Sequence, residues 1–141
     1  MRSRTIPDEP TDGAIDSCGA GTDDSYIGVS RVRSTVSYTT VNYHDVEPAA
    51  GAMHFLRDPL ECDHVGVTVV DCDPGWTGKE HDHAERDHEE VYLLVEGAAT
   101  VAVDDAEIEL KPGDAVRISP DATRQIRNGD AESTLVLAGA P

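Results

Sequence analysis

An all-β sandwich or barrel is the fold class this sequence predicts, and three observations predict it. No segment carries ten or more residues of helical periodicity; short runs rich in Val, Ile, Thr and Tyr return every eight to twelve residues; and Gly, Pro and Asp clusters separate them. With 141 residues the chain can build one hydrophobic core but not two comfortable domains.

The elements follow in order. Residues 1–35 are rich in Asp, Gly, Ser, Thr and Pro and poor in large apolar side chains, so burial cannot offset the entropy of ordering them; a disordered acidic extension is expected there, with the folded domain over 36–141. A β pattern opens near Val36 with Tyr38, Val41 and Tyr43. Gly66–Val70 reads as a strand closed by Asp73-Pro74-Gly75, and Glu90–Val95 as another ended by Gly97. Ala99–Val103 and Glu107–Leu110 flank Asp104-Asp105-Ala106 as a hairpin. After the corner Lys111-Pro112-Gly113-Asp114 come Ala115–Ile118 and, last, Thr134–Leu137.

Charge narrows the partners. The 28 acidic residues outnumber the 11 basic ones for a formal charge of -17, and the only lysines are Lys79 and Lys111. Phosphate backbones and anionic lipid surfaces need clustered Lys and Arg, so nucleic acid and membranes are disfavoured as partners. Carboxylates spread along the whole chain with so few lysines resemble the halophilic type of surface, found in organisms that keep molar salt in the cytoplasm, where screening within ~3 Å at 1 M removes much of the self-repulsion. The N-terminal residues contain no apolar stretch of the signal-peptide kind and no run reaches the ~20 residues of a membrane span, so a cytoplasmic location is expected. Cys18, Cys62 and Cys72 are odd in number and irregular in spacing, which argues against a disulfide framework; Cys72 reads as a small buried hydrophobe.

The chemistry lies in the segment from Gly75 to Tyr92. His81, His83 and His88 fall within eight residues. If residues 81–83 are extended, His81 and His83 share a face, and two imidazoles on one face can grip one metal ion. By the same parity His88, Glu90 and Tyr92 share a face of the next strand, and folding that strand back antiparallel brings Glu90 or His88 opposite the pair. A solvated acidic-histidine loop is the plainer reading of the same residues. Trp76 is placed as a packing residue near a turn, and Tyr92 either offers its hydroxyl to a ligand or is a buried tyrosine. His44, His54 and His64 show no ligand-like spacing.

These residues resemble the cupin family. Its first motif is Gly, five residues, His-x-His, three or four residues, Glu, six residues, Gly; here Gly75, five residues, His81-x-His83, six residues, Glu90, six residues and Gly97 stand in that order. The central spacing is two residues long, so counting forward lands on His88 and counting back lands on Glu90; Glu90 is preferred, with His88 an additional donor. The second motif is Gly, five residues, Pro-x-Gly, two residues, His, three residues, Asn, and the chain offers Gly113, Ser119-Pro120-Asp121, Arg124 and Asn128 in that register. The usual last ligand histidine is therefore Arg124. The resemblance implies a double-stranded β-helix or jelly-roll barrel with a divalent metal (Fe, Mn, Ni or Zn) held by His81, His83 and Glu90, to which His88, on the same strand face as Glu90, is an extra donor. It also implies a small-molecule ligand and pairing into a homodimer; the charge of Arg124 and the strand parity of Tyr92 place these two residues against that ligand. A guanidinium has no lone pair to give a metal, so the four-ligand site cannot form in its usual way. Either three donors hold a metal while Arg124 turns to an anionic ligand, or Arg124 pairs with Glu90 and the pocket is metal-free.

Overall fold

The computed structural model of the protein describes residues 37–141, of which Val41–Pro141 belong to one compact unit. The extension expected over residues 1–35 lies outside the described residues. Tyr43–Asp45 form a short 3-10 turn, followed by β1 (Met53–Phe55), β2 (Gly66–Cys72), β3 (Glu89–Glu96) and β4 (Ala99–Val103). The remaining strands are β5 (Ala106–Leu110), β6 (Ala115–Ile118), β7 (Arg124–Asn128) and β8 (Ser133–Ala140). All pairings are antiparallel, in a five-stranded sheet ordered β1-β2-β8-β3-β6 and a three-stranded sheet ordered β5-β4-β7. No helix among the described residues is long and apolar enough to cross a membrane.

Strand periodicity builds one core between the two sheets. On β3, Tyr92 and Leu94 point in while Val91 and Val95 stand 39% and 51% exposed. Val70, Tyr92, Leu94, Ile118, Leu135 and Leu137 from the larger sheet meet Ala99, Val101, Leu110 and Ile126 from the smaller in a single cluster. Each fully buried Val, Leu or Ile contributes ~1.5–3 kcal/mol, so Val70, Leu94, Val101, Ile118 and Leu135 together supply about 10 kcal/mol. Arg124 is as deeply buried as any of the five, at the several kcal/mol that burying a charged side chain costs.

The expected strands are present with slightly wider bounds, and three expectations need correction. Of the β pattern expected from Val36 to Tyr43, Val36 lies outside the described residues and Thr40 takes a single β-bridge, but at Tyr43 the Asn42 side chain accepts the His44 N–H at 3.0 Å and turns the chain into the 3-10 conformation. The first strand is β1. β7 was not expected either, because Arg-Gln-Ile-Arg-Asn holds one apolar residue, yet Arg124, Ile126 and Asn128 alternate inward as in any strand. Lastly, β3 does not fold back on the histidine segment. That segment runs beside β7, with the Gly78 N–H donating to the Ile126 carbonyl, and β3 pairs with β8 and β6.

Three of the family-motif residues explain their own identity. Gly97 ends β3 at φ +85, and a Cβ there would collide with the Glu132 carbonyl oxygen and sit 2.8 Å from Ser133 Cα. Gly75 turns at φ +76 and donates its N–H to the Gly129 carbonyl at 2.8 Å. Asn128, 8% exposed, reaches the carbonyls of Cys72, Asp73 and Ala131 with its amide nitrogen and accepts the Ser133 hydroxyl at 2.7 Å, which clips the end of β2 to the start of β8. Cys72 is a free, buried thiol, and burial pushes its pKa up, as suits a small hydrophobe.

Candidate metal centre

The site assembles where the two sheets face each other. His81 and Arg124 form an antiparallel bridge, each N–H donating to the other's carbonyl at 3.0 and 2.8 Å, so their side chains leave the smaller sheet on the same face. His83 is anchored by its N–H to the Pro120 carbonyl at 2.8 Å. The two extra residues of the motif fall in the turn Ala84–Asp87, where the Ala84 N–H donates to the Asp82 carboxylate and Asp87 takes φ +52. Glu90 enters from the larger sheet, one step above Tyr92 on the inward face of β3.

One ligand atom from each of His81, His83 and Glu90 lies within 4.8 Å of the others. The His81 Nδ1–H donates to the Lys79 carbonyl at 2.9 Å, a contact that assigns the proton to Nδ1 and leaves the Nε2 lone pair free for a metal. His83 Nε2 is 3.1 Å from Glu90 Oε1. Burial holds the His83 imidazole below the usual histidine range, against the raising effect of Glu90 and with the lowering effects of Arg124 and His81, so its neutral, ligand-competent form is favoured. The donor set, two imidazoles and a carboxylate, suits Zn, Fe, Mn or Ni with open positions. His88 stands outside this group: it precedes β3, and its ring centroid is 6.3 Å from that of His83.

Arg124 and Tyr92 are both placed against Glu90. The Tyr92 hydroxyl donates to Glu90 Oε2 at 3.1 Å from a side chain 1% exposed; burial, with the adjacent carboxylate, keeps this phenol strongly protonated. Arg124 is 0% exposed; its Nη2 donates to the Ser119 carbonyl at 2.8 Å and its Nε lies 3.6 Å from Glu90 Oε2. That last separation is too long for a hydrogen bond, so the bidentate Arg124–Glu90 pair considered from the sequence is not formed. Arg124 Nε and Nη1 have no hydrogen-bond partner among the described residues. Trp76 packs against the core with its indole N–H on the Ala50 carbonyl at 3.0 Å. His44 stacks on Tyr43 and His54 meets its edge.

Sequence reading missed one residue of the site, Gly139. It pairs with Glu90 across β3 and β8, and a Cβ on it would lie 3.2 Å from Glu90 Cγ and 3.4 Å from the Glu89 carbonyl oxygen. A lone glycine inside an otherwise apolar strand is the signal that could have found it. Gly139→Ala is expected to shift the Glu90 carboxylate and weaken zinc binding about tenfold by calorimetric titration, the usual scale for a supporting residue. Gly66→Ala, whose Cβ would meet only the Gly139 carbonyl oxygen at 3.8 Å, is the matched control and should stay near the parent.

The arrangement is a double-stranded β-helix with a His-x-His pair and a glutamate gathered between its sheets, a β-barrel with three residues that could hold a metal ion. The cupin domain model matches residues 68–138, half of the chain, and the chain belongs to the cupin family. Among solved structures it is similar to a cupin protein from Bacteroides fragilis, at 28% identity over 72% of this chain and 86% of that one, TM-score 0.58. It is also similar to a sugar phosphate isomerase of the cupin superfamily from Silicibacter pomeroyi, at 28% identity over 63% of this chain and 58% of that one, TM-score 0.56. KdgF from a Halomonas species shares the fold, at 23% identity over 55% of this chain and 69% of that one, TM-score 0.51. No curated protein matches the chain.

Proposed function

We propose that this cupin holds a divalent metal through His81, His83 and Glu90 and uses that centre to bind or transform a small anionic or carbonyl-containing metabolite in the cytoplasm. The observation that carries the reading is the convergence of three donor atoms within 4.8 Å, with the His81 tautomer fixed by Lys79. A bound ion supplies Lewis acidity toward a carbonyl or carboxylate oxygen. The chain's own residues do the rest: Tyr92 holds the Glu90 carboxylate in place, His83 stays neutral, and Arg124 presents a fixed positive charge to the anionic end of the ligand. The sugar phosphate isomerase from Silicibacter pomeroyi supports this ligand class, since a sugar phosphate is anionic and carries a carbonyl. His88 is an additional donor in this reading if its ring turns inward. A homodimer through the outer face of the larger sheet, where Val91 and Val95 are exposed, belongs to the same proposal.

The Arg124–Glu90 approach at 3.6 Å favours a second reading, a metal-free cupin whose guanidinium takes the place of the ion. Metal content separates the two. Protein purified in high salt should carry close to one equivalent of metal by elemental analysis, and Glu90→Ala should carry less than a tenth of that. No stoichiometric metal in either protein would leave the metal-free reading standing.

A further inference from the structure

We propose that a divalent metal and a small carboxylate bind this site as a pair, each raising the other's affinity, with Arg124 receiving the carboxylate; the inference rests on the metal reading above. It starts from the most anomalous side chain among the described residues. Arg124 is 0% exposed, yet of its three nitrogens only Nη2 has an acceptor, the Ser119 carbonyl. Buried guanidinium groups that lack acceptors are costly, because the N–H bonds have given up water for nothing.

Glu90 cannot make good the deficit. Its Oε2 already accepts the Tyr92 hydroxyl at 3.1 Å, its Oε1 faces His83 Nε2 at 3.1 Å, and Arg124 Nε is left 3.6 Å away. Tyr92 on one oxygen and His83 on the other hold the carboxylate, so it is not free to swing fully toward Arg124. The guanidinium thus has half a counter-ion. When Glu90 and the two imidazoles share their electrons with a divalent cation, even that half is withdrawn and a second positive charge appears beside the first.

Charge balance then favours one class of ligand. His81 and His83 bind as neutral groups, so an ion and Arg124 together bring three positive charges against the single negative charge of Glu90. A carboxylate that places one oxygen on the metal and the other on Nη1 lowers the surplus and satisfies the orphaned donor in the same step. Neutral ligands would do neither. Because the two binding events share this electrostatic term, linkage requires that the carboxylate tighten metal binding by the same factor that the metal tightens the carboxylate.

The test uses the full chain, Co2+ as a coloured divalent probe and formate as the smallest carboxylate. Co2+ affinity is read from visible absorption in millimolar formate and in chloride at equal ionic strength, with free formate complexes of the ion accounted for. The expected result is binding at least tenfold tighter in formate. Arg124→Met should bind Co2+ at least tenfold more tightly than the parent in chloride and show no formate effect. Equal parental affinities in formate and chloride overturn the pairing, as a bridging water on Nη1 would produce, and so does a formate effect that survives in Arg124→Met. Absence of Co2+ binding in every condition, Arg124→Met included, defeats the metal reading itself, whereas formate-indifferent binding defeats only the inference. Should Arg124→Met fold poorly, the parental comparison decides alone.

Discussion

Arg124→His is expected to raise the affinity for Zn2+ or Ni2+ by about a hundredfold or more. The substitution removes a buried positive charge and adds an imidazole where the family places its last ligand, on a strand whose parity already aims the side chain between the sheets. Two unit charges ~5 Å apart at an effective dielectric near 20 interact by about 3 kcal/mol, and a divalent ion doubles the repulsion. Since ~1.4 kcal/mol is a factor of ten, even half of that repulsion suffices for the expected gain before the new nitrogen donor is counted. Competition against a chromophoric chelator measures it. Stability should move in opposite directions with and without metal: the metal-free variant loses the positive charge beside Glu90 and melts lower, and saturating metal lifts it above the metal-free parent. Unchanged affinity would mean that Arg124 does not stand at the ligand corner.

The second large effect is on folding. Gly97→Ala should destabilise the protein by about 3 kcal/mol, adding the strain of a left-handed backbone to that of forcing a methyl group into filled space. The Cβ would strike the Glu132 carbonyl and lie 2.8 Å from both Cα and Cβ of Ser133, all at the rigid junction into β8. Gly113→Ala separates the two causes. Its φ is +93, comparable to the +85 of Gly97, but nothing lies within 4 Å of its Cβ position, so only the backbone term of ~1 kcal/mol should remain. Denaturant unfolding of both variants in molar salt gives the comparison, and equal losses would show that the Glu132–Ser133 junction yields freely.

How much of this was legible before the fold is best seen in Glu90 and Arg124. Motif spacing left the carboxylate ambiguous between His88 and Glu90, because two additional residues could sit before or after His88. Local turn geometry bears on it: the Asp82 side chain and the left-handed Asp87 absorb both residues in the Ala84–Asp87 turn, Glu90 falls in the group with His81 and His83, and the His88 ring centroid lies 6.3 Å from that of His83. Arg124 was legible as a departure from the motif. Its consequence was not, since whether a guanidinium is exposed, bidentate or orphaned depends on what Ser119, Tyr92 and Glu90 leave for it.

By itself the sequence determined the all-β class, the positions of most strands, the acidic surface and the identity of the chemically capable residues. Each of these depends on side-chain alternation, turn chemistry or composition, which are local properties. Only the tertiary structure decided which elements meet. The histidine segment lies along β7 and not along β3, Glu90 arrives from the opposite sheet, and Gly139, nearly fifty residues further along the chain, makes room for it. Pairings over such separations are chosen by how the whole set of strands buries its apolar faces together, and no local window of sequence contains that sum.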